Sequence, residues 1–433
     1  MGAGMTLLQP IVARTTLPQR VLLLENSRAY MQAVAGAIEQ KLELPVMVAS
    51  TLSEARALLD RHDDWFLALT GLVLADGDRD EVVNSLLDRG LSTVVVTGVY
   101  DEHLRERLLR RRVIDFVLKS TPGSLDYIVW LVKRLERNRR ISALVVDDSS
   151  SARMHTAELL ETYGYRVVQA RDGDAALRLL ERDPTIRLTL VDQEMPGMHG
   201  VELTRRLRAL RARDRVAVIG LSGRDDPDLV ARFLKSGAND FLRKPFSREE
   251  FFCRVSQNVD QLELIGSLQD LATRDFLTGL PNRRHFLEQA ERLVPQLLAE
   301  GRTLAMAIMD IDHFKHINDG WGHEAGDHAL RAVSAELSRH ARALDLVARF
   351  GGEEFCLLVP DLEDDALHAY FEALRRRIED LRVKLPGGDL RMSVSIGVRT
   401  AAPADDLHRL LADADRRLYL AKAGGRNRVV EVG

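Results

Sequence analysis

The sequence predicts two doubly wound α/β domains in tandem, followed by a third domain of a different pattern. Three observations carry this. The 433-residue chain is too long for one ordinary core. Residues 20–140 and 141–258 repeat one plan. Within each copy, short β-branched or leucine-rich runs alternate with helix-period segments such as 176–180 (ALRLL). That alternation marks βα units and a parallel sheet.

The repeat is visible residue by residue. Residues 21–27 (VLLLENS) align with 143–149 (ALVVDDS), and 67–70 (LALT) with 189–192 (TLVD) at the same offset. Residues 117–119 (VLK) match 242–244 (LRK) at an offset three residues longer, so the first copy has the shorter loops.

Composition narrows the class. Hydrophobic content of 45% and charged content of 29% suit a globular protein. A net charge of −4 gives no sign of a nucleic-acid or polyanion binder. Cys253 and Cys356 lie in unrelated apolar segments and are expected to be buried thiols rather than a disulfide or metal site. No apolar run approaches the roughly 18–20 residues that span a bilayer. Residues 1–18 lack a signal-peptide core and read as a loose tail, so a cytoplasmic protein is expected.

In parallel sheets of this kind, ligands bind at the carboxyl ends of the strands. In the second copy those ends carry Asp147 and Asp148, then Asp192, then Ser222, then Lys244. Three converging carboxylates suit Mg²⁺, and a hydroxyl and an ammonium suit the oxygens of a phosphoryl group. This segment resembles the receiver domains of two-component response regulators, a flavodoxin-like fold. The resemblance implies Asp192 as phosphoacceptor and Asp147, Asp148 and Asp192 as the Mg²⁺ site. It implies Ser222 as switch hydroxyl, Lys244 as the phosphate's cation and Phe241 as the switch aromatic. A sensor histidine kinase or phosphotransfer protein would be the partner. Glu194 and Arg224, each two residues beyond Asp192 and Ser222, are placed to tune dephosphorylation.

The first copy departs from that pattern. Glu25 and Asn26 replace the acid pair, Thr70 stands at the phosphoacceptor position, and Thr97 and Lys119 remain. Threonine cannot form an acyl phosphate. A degenerate receiver used for packing or dimer contacts is expected, with Asp76 and Asp78 as solvated turn residues.

From residue 247 to 274 there is no proline and one glycine, Gly266. Apolar residues recur at Val255, Val259, Leu262, Ile265, Leu268 and Leu271, three and four apart. This reads as one long helix whose seam faces a partner.

The third domain centres on 349–355 (RFGGEEF), two glycines at a turn followed by two acids and a strand-like run. Residues 304–309 (LAMAIM) read as a buried strand delivering Asp310 and Asp312. Acids from adjacent strands are the layout that nucleotidyl-transfer metal sites need. A polar cluster including Phe314, Lys315, Asn318, Asp319, Gly322, His323, Gly326 and Asp327 follows. Lys422 and Arg426, four apart near a helix end, suit a triphosphate.

Residues 275–431 resemble the GGDEF family of diguanylate cyclases, block by block: DFLTGLPNRR, DIDHFKHIND, GHEAGD, RFGGEEF, SVSIGV and ADRRLYLAKAGGRN. Glu353 stands at a position where the family permits Asp or Glu. The resemblance implies a ferredoxin-like, polymerase-palm-related α+β fold. It implies that two GTP molecules condense to cyclic di-GMP with release of two pyrophosphates. Asp310, the Ile311 carbonyl and Glu353 would hold Mg²⁺ (or Mn²⁺), with Glu354 assisting. Asn318 and Asp327 would read guanine, with Lys315, His323, Lys422 and Arg426 completing the GTP site. Trp321 sits where an aromatic residue is usual. Each domain would hold one GTP, so a homodimer is part of the implied mechanism.

Arg342 and Asp345 have the RxxD spacing of the family's product-inhibition site, with five residues between Asp345 and Gly351. The expected boundaries are a tail (1–18), a degenerate receiver (19–140), a receiver (141–256), a helical linker (257–274) and the GGDEF domain (275–433). The competing reading is a catalytically inactive GGDEF protein that senses cyclic di-GMP through Arg342 and Asp345.

Overall fold

The computed structural model describes residues 19–99, 101–223 and 226–431. The expected N-terminal tail and Arg224 lie outside them. The chain forms two compact units, one ending at Gly266 and the other starting at Ser267.

The first unit holds two five-stranded parallel sheets. Strands β1 (Arg20–Leu24), β2 (Val46–Ala49), β3 (Trp65–Thr70), β4 (Thr93–Thr97) and β5 (Asp115–Leu118) take the order β2-β1-β3-β4-β5. Strands β6 (Ser142–Val146), β7 (Arg166–Ala170), β8 (Ile186–Asp192), β9 (Ala217–Ser222) and β10 (Asp240–Arg243) repeat it as β7-β6-β8-β9-β10. The repeat seen in sequence is therefore a repeat of topology. Helices cover both faces, so strands such as β4 and β6 are buried at every position. In both sheets the order reverses between the first and third strands, and the chemistry-bearing residues sit at the carboxyl ends there.

The two sheets share one continuous core. It runs from Val21 and Leu69 through Leu131 and Leu135 of the helix Ser124–Asn138 to Tyr163, Phe252 and Val259. Phe252 stacks on Tyr163 with ring centroids 3.9 Å apart. Phe252 and Val259 belong to the helix Arg248–Thr273, the stem helix.

The stem helix corrects one expectation. Val255, Val259 and Leu262 are buried in the core of their own unit, whereas Leu268 and Leu271 are exposed. Only the distal half of the apolar seam is open to a partner. The proximal half covers the shared core of the two sheets. Cys253 is exposed on the same helix, contrary to expectation, because it falls on the face opposite that core, while Cys356 is buried. Asp76 and Asp78 are helix caps rather than loose turn acids. Asp76 accepts from the amides of Leu52 and Ser53, and Asp78 from that of Glu81.

Arg134 fastens the stem helix. Its side chain is almost fully enclosed and donates to Asp260 (2.7 Å) and twice to Glu263 (2.9 and 3.1 Å). Its Nε donates to Asn138 (2.7 Å), whose amide reaches the Tyr163 carbonyl (2.8 Å). Burial works against the Glu263 charge, but Arg134 and Arg137 hold its carboxyl below the usual range. Arg134→Ala leaves two carboxylates facing an emptied site, and it is expected to cost about 3 kcal/mol of the unit's stability. Urea unfolding of the full chain measures this; a loss under about 1 kcal/mol would place the clasp among weak surface pairs.

The second unit is α+β. Strands β11 (Leu304–Ile311), β12 (Leu346–Gly351), β13 (Glu354–Pro360), β16 (Val394–Thr400) and β17 (Val429–Val430) form one sheet in the order β12-β13-β11-β16-β17. Strands β14 (Val383–Leu385) and β15 (Gly388–Leu390) form a separate hairpin. Central β11 runs antiparallel to both β13 and β16. All eight of its residues are buried. Ala305, Ala307 and Met309 face the helices His323–His340 and Asp364–Glu379. Met306 and Ile308 face the helices Arg283–Ala299 and Leu407–Ala423. A strand with no free face can offer side-chain chemistry only at its ends.

Candidate active site

Strand β11 delivers Asp310 at its carboxyl end, opposite Glu354 of β13 and Ser395 of β16. Asp310 is buried, and its Oδ2 lies 2.8 Å from Lys422 Nζ. Burial pushes this carboxyl up to about 6, and the nearby Glu353 and Glu354 charges add to the effect although Lys422 opposes it. The Glu353 and Glu354 charges bear on Asp310 although the three carboxylates do not close to within 4.8 Å of one another; a divalent cation would relieve that repulsion, and all donors are hard oxygens. Ile311 occupies the same strand end, and its amide donates to the Glu353 carbonyl (3.3 Å).

The turn that carries Glu353 is braced from behind. Gly352 has φ of 49°, a left-handed conformation that favours glycine. No atom lies within 4 Å of where a Cβ would sit on Gly351 or Gly352, so the approach to the turn is open. Arg349 donates from Nε and Nη2 to the Gly352 carbonyl (3.0 and 2.7 Å) and from Nη1 to Asp275 (2.9 Å). Asp275 in turn caps Thr278. One guanidinium thus ties the DFLT segment to the acidic turn.

Asp312 does work that its sequence position did not announce. Its buried carboxylate accepts from Ser393 Oγ (2.7 Å), Ser395 Oγ (2.6 Å) and the Asn427 amide (3.0 Å). Asn427 is also held by Arg375 (2.6 Å) and Glu379 (2.7 Å). Asp312 is therefore the anchor of the segment containing Lys422 and Arg426. The available signal was the two serines spaced two apart in SVSIGV, one just before β16 and one within it, both facing Asp312.

The expected guanine-reading residues lie on two consecutive helices, Phe314–Trp321 and His323–His340, joined at Gly322 with φ of 85°. Asn318 is half-buried against Gly326. A Cβ on Gly326 would meet Asn318 Oδ1 at 2.0 Å and Phe314 Cζ at 3.1 Å. Asp327 follows Gly326, 3.9 Å from Arg331. Lys315 and His323 are exposed. Trp321 leans on the β14–β15 hairpin, 3.2 Å from a Cβ built on Gly387.

Arg342 and Asp345 are paired with each other. Arg342 Nη2 lies 2.7 Å from Asp345 Oδ1, and the Asp345 side chain is fully enclosed. Asp345 also accepts from Tyr370 Oη (2.8 Å).

In the first unit, Asp147, Asp148 and Asp192 bring carboxylate oxygens within 4.8 Å of one another, the one such metal-sized cluster among the described residues. Lys244 Nζ bridges Asp147 (2.7 Å) and Asp192 (2.6 Å). Burial pushes the Asp192 carboxyl up, with Asp147 adding to it and Lys244 opposing. Burial also works against the Lys244 charge, but the two acids raise its pKa. Ser222 is buried at the end of β9, opposite Arg243. Phe241 packs on Phe233 with centroids 5.6 Å apart.

The equivalent position in the first sheet is differently filled. Glu25, one methylene longer than aspartate, reaches Lys119 at 2.5 Å. Lys119 also sits 4.8 Å over the Tyr30 ring. Buried Thr70 donates to the Gly71 carbonyl (2.8 Å). A Cβ on Gly71 would meet Glu25 Oε2 at 2.9 Å.

Comparison with known proteins supports one receiver domain and the GGDEF domain. Residues 272–428 match the family described as diguanylate cyclase, GGDEF domain, and residues 143–256 match the response regulator receiver domain. The response regulator PleD of Caulobacter vibrioides is 32% identical over 392 residues, covering 87% of this chain and 85% of its own length. The diguanylate cyclase DosC of Escherichia coli is 35% identical over 189 residues, covering 42% of this chain and 41% of its own. A solved structure of a two-component system response regulator/GGDEF domain protein aligns at 41% identity and a TM-score of 0.53, covering 57% of this chain and 99% of its own. No helix among the described residues is long and apolar enough to cross a membrane. With the acidic turn, the strand-end aspartate and the receiver cluster in place, the chain belongs to the GGDEF diguanylate cyclases that carry a response-regulator receiver domain.

Proposed function

We propose that this protein condenses two GTP molecules into cyclic di-GMP under the control of phosphorylation at Asp192. The observation that carries the reading is the buried strand-end Asp310, paired with Lys422 and under the charges of Glu353 and Glu354. Asp310, the Ile311 carbonyl and Glu353 would hold Mg²⁺ or Mn²⁺, with Glu354 assisting; an ion bound there would lower the pKa of a 3′-hydroxyl and offset charge on the phosphoryl oxygens. Lys422 and Arg426 hold the triphosphate, and Asp312 fixes their segment. Asn318 and Asp327 read guanine, with Lys315 and His323 beside them.

Each 3′-oxygen loses its proton and attacks the α-phosphorus of the other nucleotide, and pyrophosphate leaves in line. Two such displacements form the cyclic product and two pyrophosphates. One domain positions one GTP, so two copies of the chain must meet face to face. The exposed Leu268 and Leu271 of the stem helix are the surface offered for that meeting. In the receiver, Asp147 and Asp148 hold the metal, Asp192 accepts the phosphoryl group, and Ser222 and Lys244 receive its oxygens. Phe241 follows the change, and a histidine kinase or phosphotransfer protein supplies the phosphate. The first domain acts as a degenerate receiver whose Glu25–Lys119 pair replaces the phosphorylation site. Arg342 and Asp345 form a product-inhibition site, and the protein works in the cytoplasm.

Incubation with GTP and Mg²⁺ tests the reading: cyclic di-GMP should appear with two pyrophosphates for each product molecule. Tight binding of cyclic di-GMP with no turnover would instead favour an inactive receptor. Gly326→Ala gives a finer test. The added methyl displaces Asn318, and KM for GTP should rise about tenfold. The same change on an Asn318→Ala background should add little further loss. Full additivity would contradict the proposed contact.

A further inference from the structure

Asp345 has no acceptor capacity left. An ionised carboxylate offers about four lone-pair sites. Four donors reach this one: the Arg342 amide (2.8 Å), Arg342 Nε (3.1 Å) and Nη2 (2.7 Å), and Tyr370 Oη (2.8 Å). The side chain is 0% exposed. Cyclic di-GMP would present guanine N–H donors to Asp345 and a phosphate or Hoogsteen edge to Arg342. Those donors cannot be accepted until one of the four present withdraws.

Three of the four cannot easily leave. The Arg342 amide belongs to a turn closed by the Asp345 amide donating to the Arg342 carbonyl (3.0 Å). The Arg342 guanidinium is further fixed by the Pro360 carbonyl (2.5 Å), and it is itself part of the product's site. The Tyr370 hydroxyl is different. It comes from another element, the helix Asp364–Glu379, and stands outside the Arg342–Asp345 pair itself. Its ring lies beside the His340 ring (centroids 4.3 Å apart) and under the Arg342 guanidinium (5.6 Å).

We propose that Tyr370 is a competitive cover on the inhibitory site, occupying Asp345 until the guanine of cyclic di-GMP displaces its hydroxyl. Tyr370 thereby sets the product concentration at which feedback begins. The inference rests on the reading of Arg342 and Asp345 as a product site.

The test titrates cyclic di-GMP into the full chain turning over GTP with Mg²⁺. Each variant is normalised to its own uninhibited rate. Tyr370→Phe keeps the ring and removes the competing hydroxyl, so half-inhibition should fall to about two- to tenfold lower product concentration. Tyr370→Leu, which fills the space without any hydroxyl, should shift the same way. A merely structural Tyr370 predicts the reverse: a lower melting temperature with unchanged or weaker inhibition, and that result overturns the proposal. Arg342→Ala separates the two claims. Loss of inhibition in Arg342→Ala together with an unshifted Tyr370→Phe refutes only the cover. Wild-type inhibition in Arg342→Ala refutes the product site and the cover together.

Discussion

Glu353→Ala is expected to lower cyclic di-GMP formation by on the order of 10³-fold or more while the chain remains folded. Glu353 is on a turn that Arg349 braces through the Gly352 carbonyl, so its loss would remove a proposed metal ligand without removing core. Asp310→Asn should have a similar effect for the same reason. The two differ in pH dependence. Burial pushes the Asp310 carboxyl up to about 6, so below that pH a proton would compete with the proposed metal ion. The apparent Mg²⁺ affinity of the wild type should therefore weaken by up to about tenfold for each pH unit below 6 and level off above it. Metal titrations of activity at several pH values check this. A Mg²⁺ requirement independent of pH through that window would remove Asp310 from the ligand set.

Asp192→Asn is expected to abolish activation by an acyl-phosphate donor such as acetyl phosphate, with unstimulated turnover left near the wild-type level. The carboxylate lies at the end of β8 with Lys244 at 2.6 Å and Asp147 and Asp148 alongside. Among the described residues no other acid cluster repeats this arrangement: Thr70 sits at the matching strand end, bonded to the Gly71 carbonyl. Labelled phosphate from the donor should accordingly appear in the wild-type chain and vanish in Asp192→Asn. Retained label would mean that the first domain accepts phosphate after all.

Much of this was legible because the chemistry sits at strand ends. A parallel sheet buries its strands on both faces, so an acid at the end of an apolar run, such as Asp192 after TLV or Asp310 after LAMAIM, stands out in sequence. The repeated strand order was legible for the same reason, since loop lengths changed but the apolar runs kept their spacing. Partnering was not legible. Apolar spacing along the stem helix looks the same whether a residue faces its own core, as Val259 does, or solvent, as Leu271 does. Nor does sequence reveal that Asp312 anchors Asn427 across 115 positions, or that Arg134 reaches Glu263. Such contacts depend on which elements the fold brings side by side. The closed state of Asp345 belongs to the same class, because Tyr370 lies outside every recognisable motif.

The most direct measurement of the central claim is cyclic di-GMP output of the full chain from GTP and Mg²⁺, with and without acetyl phosphate. The account predicts cyclic di-GMP as the product and a faster rate with the donor. Absence of product under both conditions, or product made at one rate regardless of the donor, would contradict it.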